Sequence, residues 1–180
     1  MFYGWRIVGG AFTAQLFVVG FFTYSVSLLV APVRAEFGVS LEQVMYSLTS
    51  ATFLGLFLQP LGGFLIDRYS VRIIMITGTL LCALGLYALA ASTSITQYIL
   101  AFALTMSVSS SLVGPMSSSA VISRWFSSSR GRALGIAALG TSVGGVLIPA
   151  LISYWLGEGG WRAAVQNLSY CILLIMLPAV

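Results

Sequence analysis

Charge is excluded from long stretches of this chain, and the lengths of those stretches restrict what it can fold into. Its charged side chains are Arg6, Arg34, Glu36, Glu42, Asp67, Arg68, Arg72, Arg124, Arg130, Arg132, Glu158 and Arg162, with no lysine. Between Arg6 and Arg34 lie 27 residues without a charge. At about 1.5 Å per residue, a helix of that length outreaches the roughly 30 Å hydrocarbon core of a bilayer. Glu42 to Asp67 encloses 24 such residues, Arg132 to Glu158 encloses 25, and Arg72 to Arg124 encloses 51, enough for two crossings. A further 18 follow Arg162. With 59% apolar and 7% charged residues, against roughly 25% charged in soluble domains, no water-facing surface can be assembled. The expectation is an all-α integral membrane bundle of six transmembrane helices.

The spans are expected at residues 7–33, 43–66, 73–92, 96–123, 133–156 and 163–180, forming one domain over 1–180. Ser92-Thr93-Ser94-Ile95-Thr96-Gln97 is the turn between the third and fourth. Ser40 with Gln43 has capping-box spacing, flanked by Val39 and Val44 as a hydrophobic staple, so the second helix is expected to begin near Leu41. Pro60, Pro115 and Pro149 mark expected kinks. The sixth span reaches Val180 without a polar flank, and the chain is read as cut short there, with a carboxy-terminal half absent.

Arginines accumulate on the cytoplasmic side of membrane proteins. An amino terminus inside puts Arg6, Arg68, Arg72, Arg124, Arg130 and Arg132 in the cytoplasm, against Arg34 and Arg162 outside. The expected location is the plasma or cytoplasmic (inner) membrane. Trp5, Trp125, Trp155 and Trp161 all fall beside loops, where indole suits the headgroup layer. Without histidine, Ser-His catalysis and His-ligated metal or haem sites are unavailable, and no carboxylate pair lies within a span to hydrolyse anything. Cys82 and Cys171 sit inside spans and imply no disulfide framework. The net charge of +4 is topological loop charge, so no nucleic-acid partner is expected. No enzyme activity, metal or cofactor is expected.

Two blocks are more specific. The loop after the second span reads Gly63-Phe64-Leu65-Ile66-Asp67-Arg68-Tyr69-Ser70-Val71-Arg72, and Gly63, Asp67, Arg68 and Arg72 match the Gly-x-x-x-Asp-Arg/Lys-x-Gly-Arg/Lys-Arg/Lys loop of the major facilitator superfamily. Ser70 replaces its glycine and Val71 one of its basic residues. The second block runs from Arg124-Trp125-Phe126 through three serines and Arg130-Gly131-Arg132 to Pro149. With the opening Phe2-Tyr3-Gly4-Trp5-Arg6, it resembles the monocarboxylate-porter and oxalate/formate-antiporter branch. The resemblance implies an amino-terminal half built of two inverted three-helix repeats, paired with a second six-helix half around a central site. It also implies a gating role for Gly63, Asp67, Arg68 and Arg72, in which Gly63 admits a neighbouring helix and Asp67 bonds differently in two conformations.

Polarity within the spans suggests where solute passes. Span four carries a run of serines around Gly114-Pro115. On the first span Thr13, Phe17, Gly20, Tyr24 and Ser27 share a stripe at α-helical spacing. Candidate pathway contacts are Gln15, Tyr24, Ser109 and Thr141, with Tyr24 foremost. Gln59 likewise needs a partner in a dry interior. Against this, serines in membrane helices commonly bond within the protein. Gly135, Gly140, Gly144, Gly145 and Pro149 are the expected helix-packing positions of span five, Gly140 and Gly144 forming a Gly-x-x-x-Gly step. The function implied is secondary transport of a small solute, a monocarboxylate or other organic anion, by alternating access. Drive would come from protons or from exchange for a second solute. The competing readings are a non-transporting scaffold or accessory subunit, a truncated half-transporter, a drug or other-solute exporter, and a channel.

Overall fold

The computed structural model describes residues 4–126 and 129–180, and among these every regular element is a helix. Phe2 and Tyr3 of the opening block, and Ser127 and Ser128 of the serine loop, lie outside the described residues. The helices are α1 (Gly4–Phe37), α2 (Leu41–Arg68), α3 (Val71–Ala90) and α4 (Ile95–Trp125), followed by the run Arg130–Ala179. That run is folded in two at Gly160, whose φ of 74° and ψ of −178° are not helical. We name its halves α5 (130–159) and α6 (161–179). Gly140 of α5 packs against Phe12, while Ala179 packs against Gly10, two residues away on the same helix. In a straight rod Gly140 and Ala179 would stand about 58 Å apart, so the chain must reverse between them. Six crossings result, and the expected turn between spans five and six contracts to one glycine.

Local signals set the other boundaries. Ser40 accepts from the Gln43 amide and Gln43 Oε1 accepts from the Ser40 amide, closing the capping box that starts α2 at Leu41. The turn before α4 is sealed similarly, with the Gln97 amide donating to Ser94 Oγ and the Thr93 amide to Gln97 Oε1. Gly38, in the left-handed region at φ 63°, ends α1 with its amide on the Arg34 carbonyl. These bonds matter because a bare amide or carbonyl facing lipid costs several kcal/mol.

Two helices depart from regularity. Residues Gly20–Ser25 of α1 form a π turn, sealed where Ser25 Oγ donates to the Gly20 carbonyl at 2.8 Å. The extra residue rotates everything after it by about 100° relative to an uninterrupted α-helix. The expected α1 stripe is therefore broken: Phe17 and Gly20 are buried, whereas Tyr24 and Ser27 are exposed. In α4 the break falls at Val113 and Gly114, and Pro115 opens the second segment as its first residue. Helical geometry continues through Pro60 and Pro149. A second π turn occupies Ile172–Met176 of α6.

Since lipid tails are as apolar as leucine, burial alone does not hold such helices together, and close packing must. The α1–α5 seam is the clearest case. A methyl at Gly140 would collide with the Phe12 carbonyl oxygen and one at Gly144 with that of Leu16, while Gly20 is seated against Gly144 and Ile148. With Ala133, Ala137, Ile148 and Ile152, all fully buried, this forms one stripe of α5 at helical spacing. Gly135 is a correction to the expected packing set: it is exposed, with open space where a side chain would go. It lies five residues before Gly140, about 140° round the helix, and so misses α1.

Candidate transport pathway and gating contacts

At the end of the bundle where α2 finishes and α3 begins, Asp67 Oδ1 accepts from Arg124 Nη2 at 3.1 Å, and the same nitrogen donates to the Ile66 carbonyl at 2.9 Å. Arg124 stands in the last turn of α4, so a guanidinium from one hairpin closes on the carboxylate of another. The side chains are 44% and 82% exposed, and an ion pair this wet contributes at most about 1 kcal/mol. Such a link holds an arrangement without freezing it. Arg68 lies over the Phe64 ring at 5.5 Å, and Arg72 lines a groove at the mouth of the bundle. Gly63 departs from expectation, with no heavy atom near enough to meet an added methyl. The close approach falls on Gly62, against Ser111 of α4, because consecutive helical residues point about 100° apart. Gly63 instead borders a small cavity of about 120 Å3 shared with Gln59, Asp67, Ser111 and Met116.

The opposite end is clasped more firmly. Arg162, just past the Gly160 reversal, donates from Nε at 3.0 Å and from Nη2 at 2.6 Å to Glu36 Oε1, and from Nη1 to the Ala90 carbonyl. Trp161 Nε1 donates to Glu36 Oε2. One guanidinium thus joins the ends of α1 and α3 to the start of α6. It also stacks over the Trp161 ring at 4.5 Å. Glu36, beyond the apolar run of α1, is held below its ordinary value of 4.5, chiefly by the Arg162 hydrogen bond; partial desolvation opposes this and the Trp161 bond adds to it. Glu158 pairs with Tyr154 at 2.8 Å. Trp161 is therefore corrected from a headgroup anchor to a core residue, 3% exposed and edge-on to Tyr98 at 5.7 Å.

Of the pathway candidates, only Tyr24 faces outward, 46% exposed, with its ring laid over Gly145, where a methyl would stand 3.1 Å from Cε2. Gln15 and Thr141 meet each other: Thr141 Oγ1 donates to Gln15 Oε1 at 3.0 Å, with Gln15 only 5% exposed. They tie α1 to α5. Ser109 is a correction. It is fully buried, without a hydrogen-bond partner for its Oγ among the described residues. The neighbouring serines explain why. Ser107 donates to the Ala51 carbonyl at 2.7 Å and Ser111 to that of Leu58 at 2.6 Å, both on α2. Thr105, one turn before Ser109, fills the hollow over Gly85 of α3. Residues 105 and 109 thus share the α3 side, and the serine run of α4 is largely a seam between its neighbours. Gln59 is exposed on α2 at the edge of the small cavity.

Arg124 and the Glu36–Arg162 clasp are functional candidates that spacing alone does not select. Asp67 is the sole carboxylate at its end of the bundle, which narrows the search to the arginines there without choosing among them.

Comparison with known proteins agrees with this geometry. Residues 11–180 match the family model of the Major Facilitator Superfamily. Among similar proteins, a fujikurins efflux protein of Gibberella fujikuroi is 33% identical over 123 residues, 68% of this chain and 26% of that protein. An MFS-type transporter of Gibberella moniliformis is 29% identical over 176 residues, covering 98% of this chain and 40% of its own length. The riboflavin transporter MCH5 of Saccharomyces cerevisiae is 39% identical over 93 residues, 51% of this chain and 18% of the transporter. The chain thus spans less than half the length of these relatives. A six-crossing helical bundle, an ion pair joining the second and fourth helices at the family's loop, and a family match over nearly every residue converge on one assignment: the chain belongs to the Major Facilitator Superfamily, whose members are membrane transporters and not enzymes.

Proposed function

We propose that this chain is the amino-terminal half of a secondary active transporter that moves a small organic solute by alternating access. A second six-helix half, normally of the same polypeptide, completes the pathway. The observation that carries this reading is the solvent-exposed Asp67–Arg124 pair: it bridges two hairpins at the one end, is weak enough to open, and so can differ in free energy between two arrangements. Tyr24 is the foremost solute contact, presented outward by the π turn. In this reading the amino terminus is cytoplasmic, the membrane is the plasma or inner membrane, and no nucleic acid takes part.

For the solute, the block from Arg124 to Pro149 favours a monocarboxylate or other organic anion. The relatives named as riboflavin transporters and efflux proteins widen the class to larger organic molecules. No span of this half carries an ionisable carboxylate or guanidinium at mid-depth, so the charge partner of an anion belongs to the second half. Coupling is to protons or to exchange of a second solute, without a cofactor.

The test uses the full-length protein in proteoliposomes, assayed for flux of lactate, oxalate and riboflavin, with Tyr24→Cys carried in parallel for thiol labelling. A transported solute is expected to change the labelling rate several-fold. Saturable flux with unchanged labelling would remove Tyr24 from the pathway. Absence of flux for every organic solute tried, in a protein that folds and reconstitutes, would favour the scaffold reading.

A further inference from the structure

Helix α4 consists of two helical segments, Ile95–Leu112 and Pro115–Trp125, and they are attached to the bundle in different ways. The first is stitched down by directed bonds and interlocking shapes. Ser107 and Ser111 donate to the Ala51 and Leu58 carbonyls of α2, Thr105 fills the hollow over Gly85 of α3, and Leu112 with Val113 fills the one over Gly78. The second segment rests on apolar contact, with Ile122 clustered against Val8 and Ala11 of α1 and Ala133 and Ala137 of α5. Such contacts are not directional and tolerate sliding. Among the described residues, 115–123 send no side-chain hydrogen bond to another helix: Ser117 bonds within α4, and Ser118, fully enclosed by this chain's own atoms, has no partner for its Oγ. Directed bonds to another helix come at the far end, where Arg124 meets Asp67 and the Ile66 carbonyl.

The joint between the segments is suited to turning. Val113, at φ −129° and ψ −6°, and Gly114, at φ −68° and ψ −171°, both leave helical geometry. Pro115 has no amide to offer and disfavours a helical residue before it. A Cβ at Gly114 would stand 2.2 Å from the Ser110 carbonyl oxygen, so the chain passes closer to itself here than any side chain permits. Ser117 Oγ spans the gap to the Ser111 carbonyl at 2.8 Å, in place of the missing backbone ladder. Helices bend where that ladder is interrupted.

We propose that Gly114 is a hinge about which the Pro115–Trp125 segment swings, carrying Arg124 off Asp67 while Ile95–Leu112 stays seated on α2 and α3. The proposal rests on the reading of Asp67–Arg124 as a gate, and it differs from motion of this half as one rigid body. Ser109 and Ser118, both fully buried, supply matched reporters, one in each segment. In the full-length protein in proteoliposomes, Asp67→Asn is expected to speed N-ethylmaleimide labelling of Ser118→Cys by about two- to fivefold, the population change that losing an exposed ion pair allows. Ser109→Cys should label as slowly as before, each rate being corrected for native cysteines with the protein in which neither serine is changed. Pro115→Ala, which lets Gly114 turn helical, should cancel most of the acceleration. Equal acceleration at both sites would mean that α4 moves or loosens as one piece, and would overturn the hinge. So would acceleration at Ser118→Cys that Pro115→Ala leaves untouched. If neither site responds, Tyr24→Cys separates two failures. A shift in its labelling with Asp67→Asn would mean that the gate opens without the hinge; no shift would mean that the pair is not a gate, and the hinge falls with it. Should Pro115→Ala not fold, Ser118→Cys against Ser109→Cys decides alone.

Discussion

Glycine at positions 140 and 144 is required because backbone from α1 occupies the space a side chain would take. Gly144→Val is expected to destabilise the bundle by about 1–3 kcal/mol or more, since the Leu16 carbonyl cannot step aside as a side-chain tip could. Gly135→Val, in open space, should change stability by no more than about 0.5 kcal/mol. Thermal challenge in detergent followed by size-exclusion recovery separates the two. The sequence announced small residues at helical spacing but not which of them face protein, because the absolute rotation of a helix is set by its partners. That is why Gly62 and not Gly63 makes the close approach, and why Ser109 is buried against α3. Glu36 adds a pH effect. Its folded value is lowered, so its contribution is fully present above the ordinary carboxylate range and disappears as pH falls from about 4.5 through that lowered value. The loss of melting temperature on acidification should be smaller in Arg162→Gln than in the unaltered protein.

At the level of elements, boundaries were legible where a chemical signal marks them, and irregularities inside helices were not. The capping box at Ser40, the turn at Ser92–Gln97 and the break at Pro115 follow from side chains that satisfy or delete particular backbone bonds. The π turn in α1 has no comparable mark, since it is stabilised by how α1 seats on α5, and its effect is to separate Tyr24 from Phe17 and Gly20. A turn between the fifth and sixth spans, within residues 157–162, is expected from the spacing of Glu158 and Arg162, but its single-residue form at Gly160 is not. A backbone at φ 74° and ψ −178° is essentially reserved for glycine. Gly160→Ala should therefore cost about 1–3 kcal/mol and speed amide exchange through residues 157–163, measurable by hydrogen–deuterium exchange mass spectrometry. Unchanged exchange there would mean the turn accommodates an L side chain.

For the whole molecule, fold class was readable from charge intervals because lipid penalises buried charge more severely than any packing preference can offset. Site assignment was weaker. Polarity in a membrane helix marks seams as readily as pathways, and only coordinates distinguish Gln15–Thr141, a seam, from Tyr24, an open face. The Asp67–Arg124 pair acts at this scale. Asp67→Asn is expected to change melting temperature little, because the pair is exposed, while shifting the labelling rate of Tyr24→Cys in the full-length protein by changing how long each arrangement persists. A large loss of melting temperature with unaltered labelling would make the pair a structural strut.

The two rims of the bundle are fastened unequally. One is gathered by a guanidinium that engages two other helices, with a buried indole on the same carboxylate; the other has, among the described residues, one ion pair that is wetter still. Thermal motion will therefore have a graded amplitude along the helix axes, with the Glu36 rim acting as the pivot and the Asp67 rim travelling furthest, so rocking of this half would be expressed mainly as splaying at one mouth.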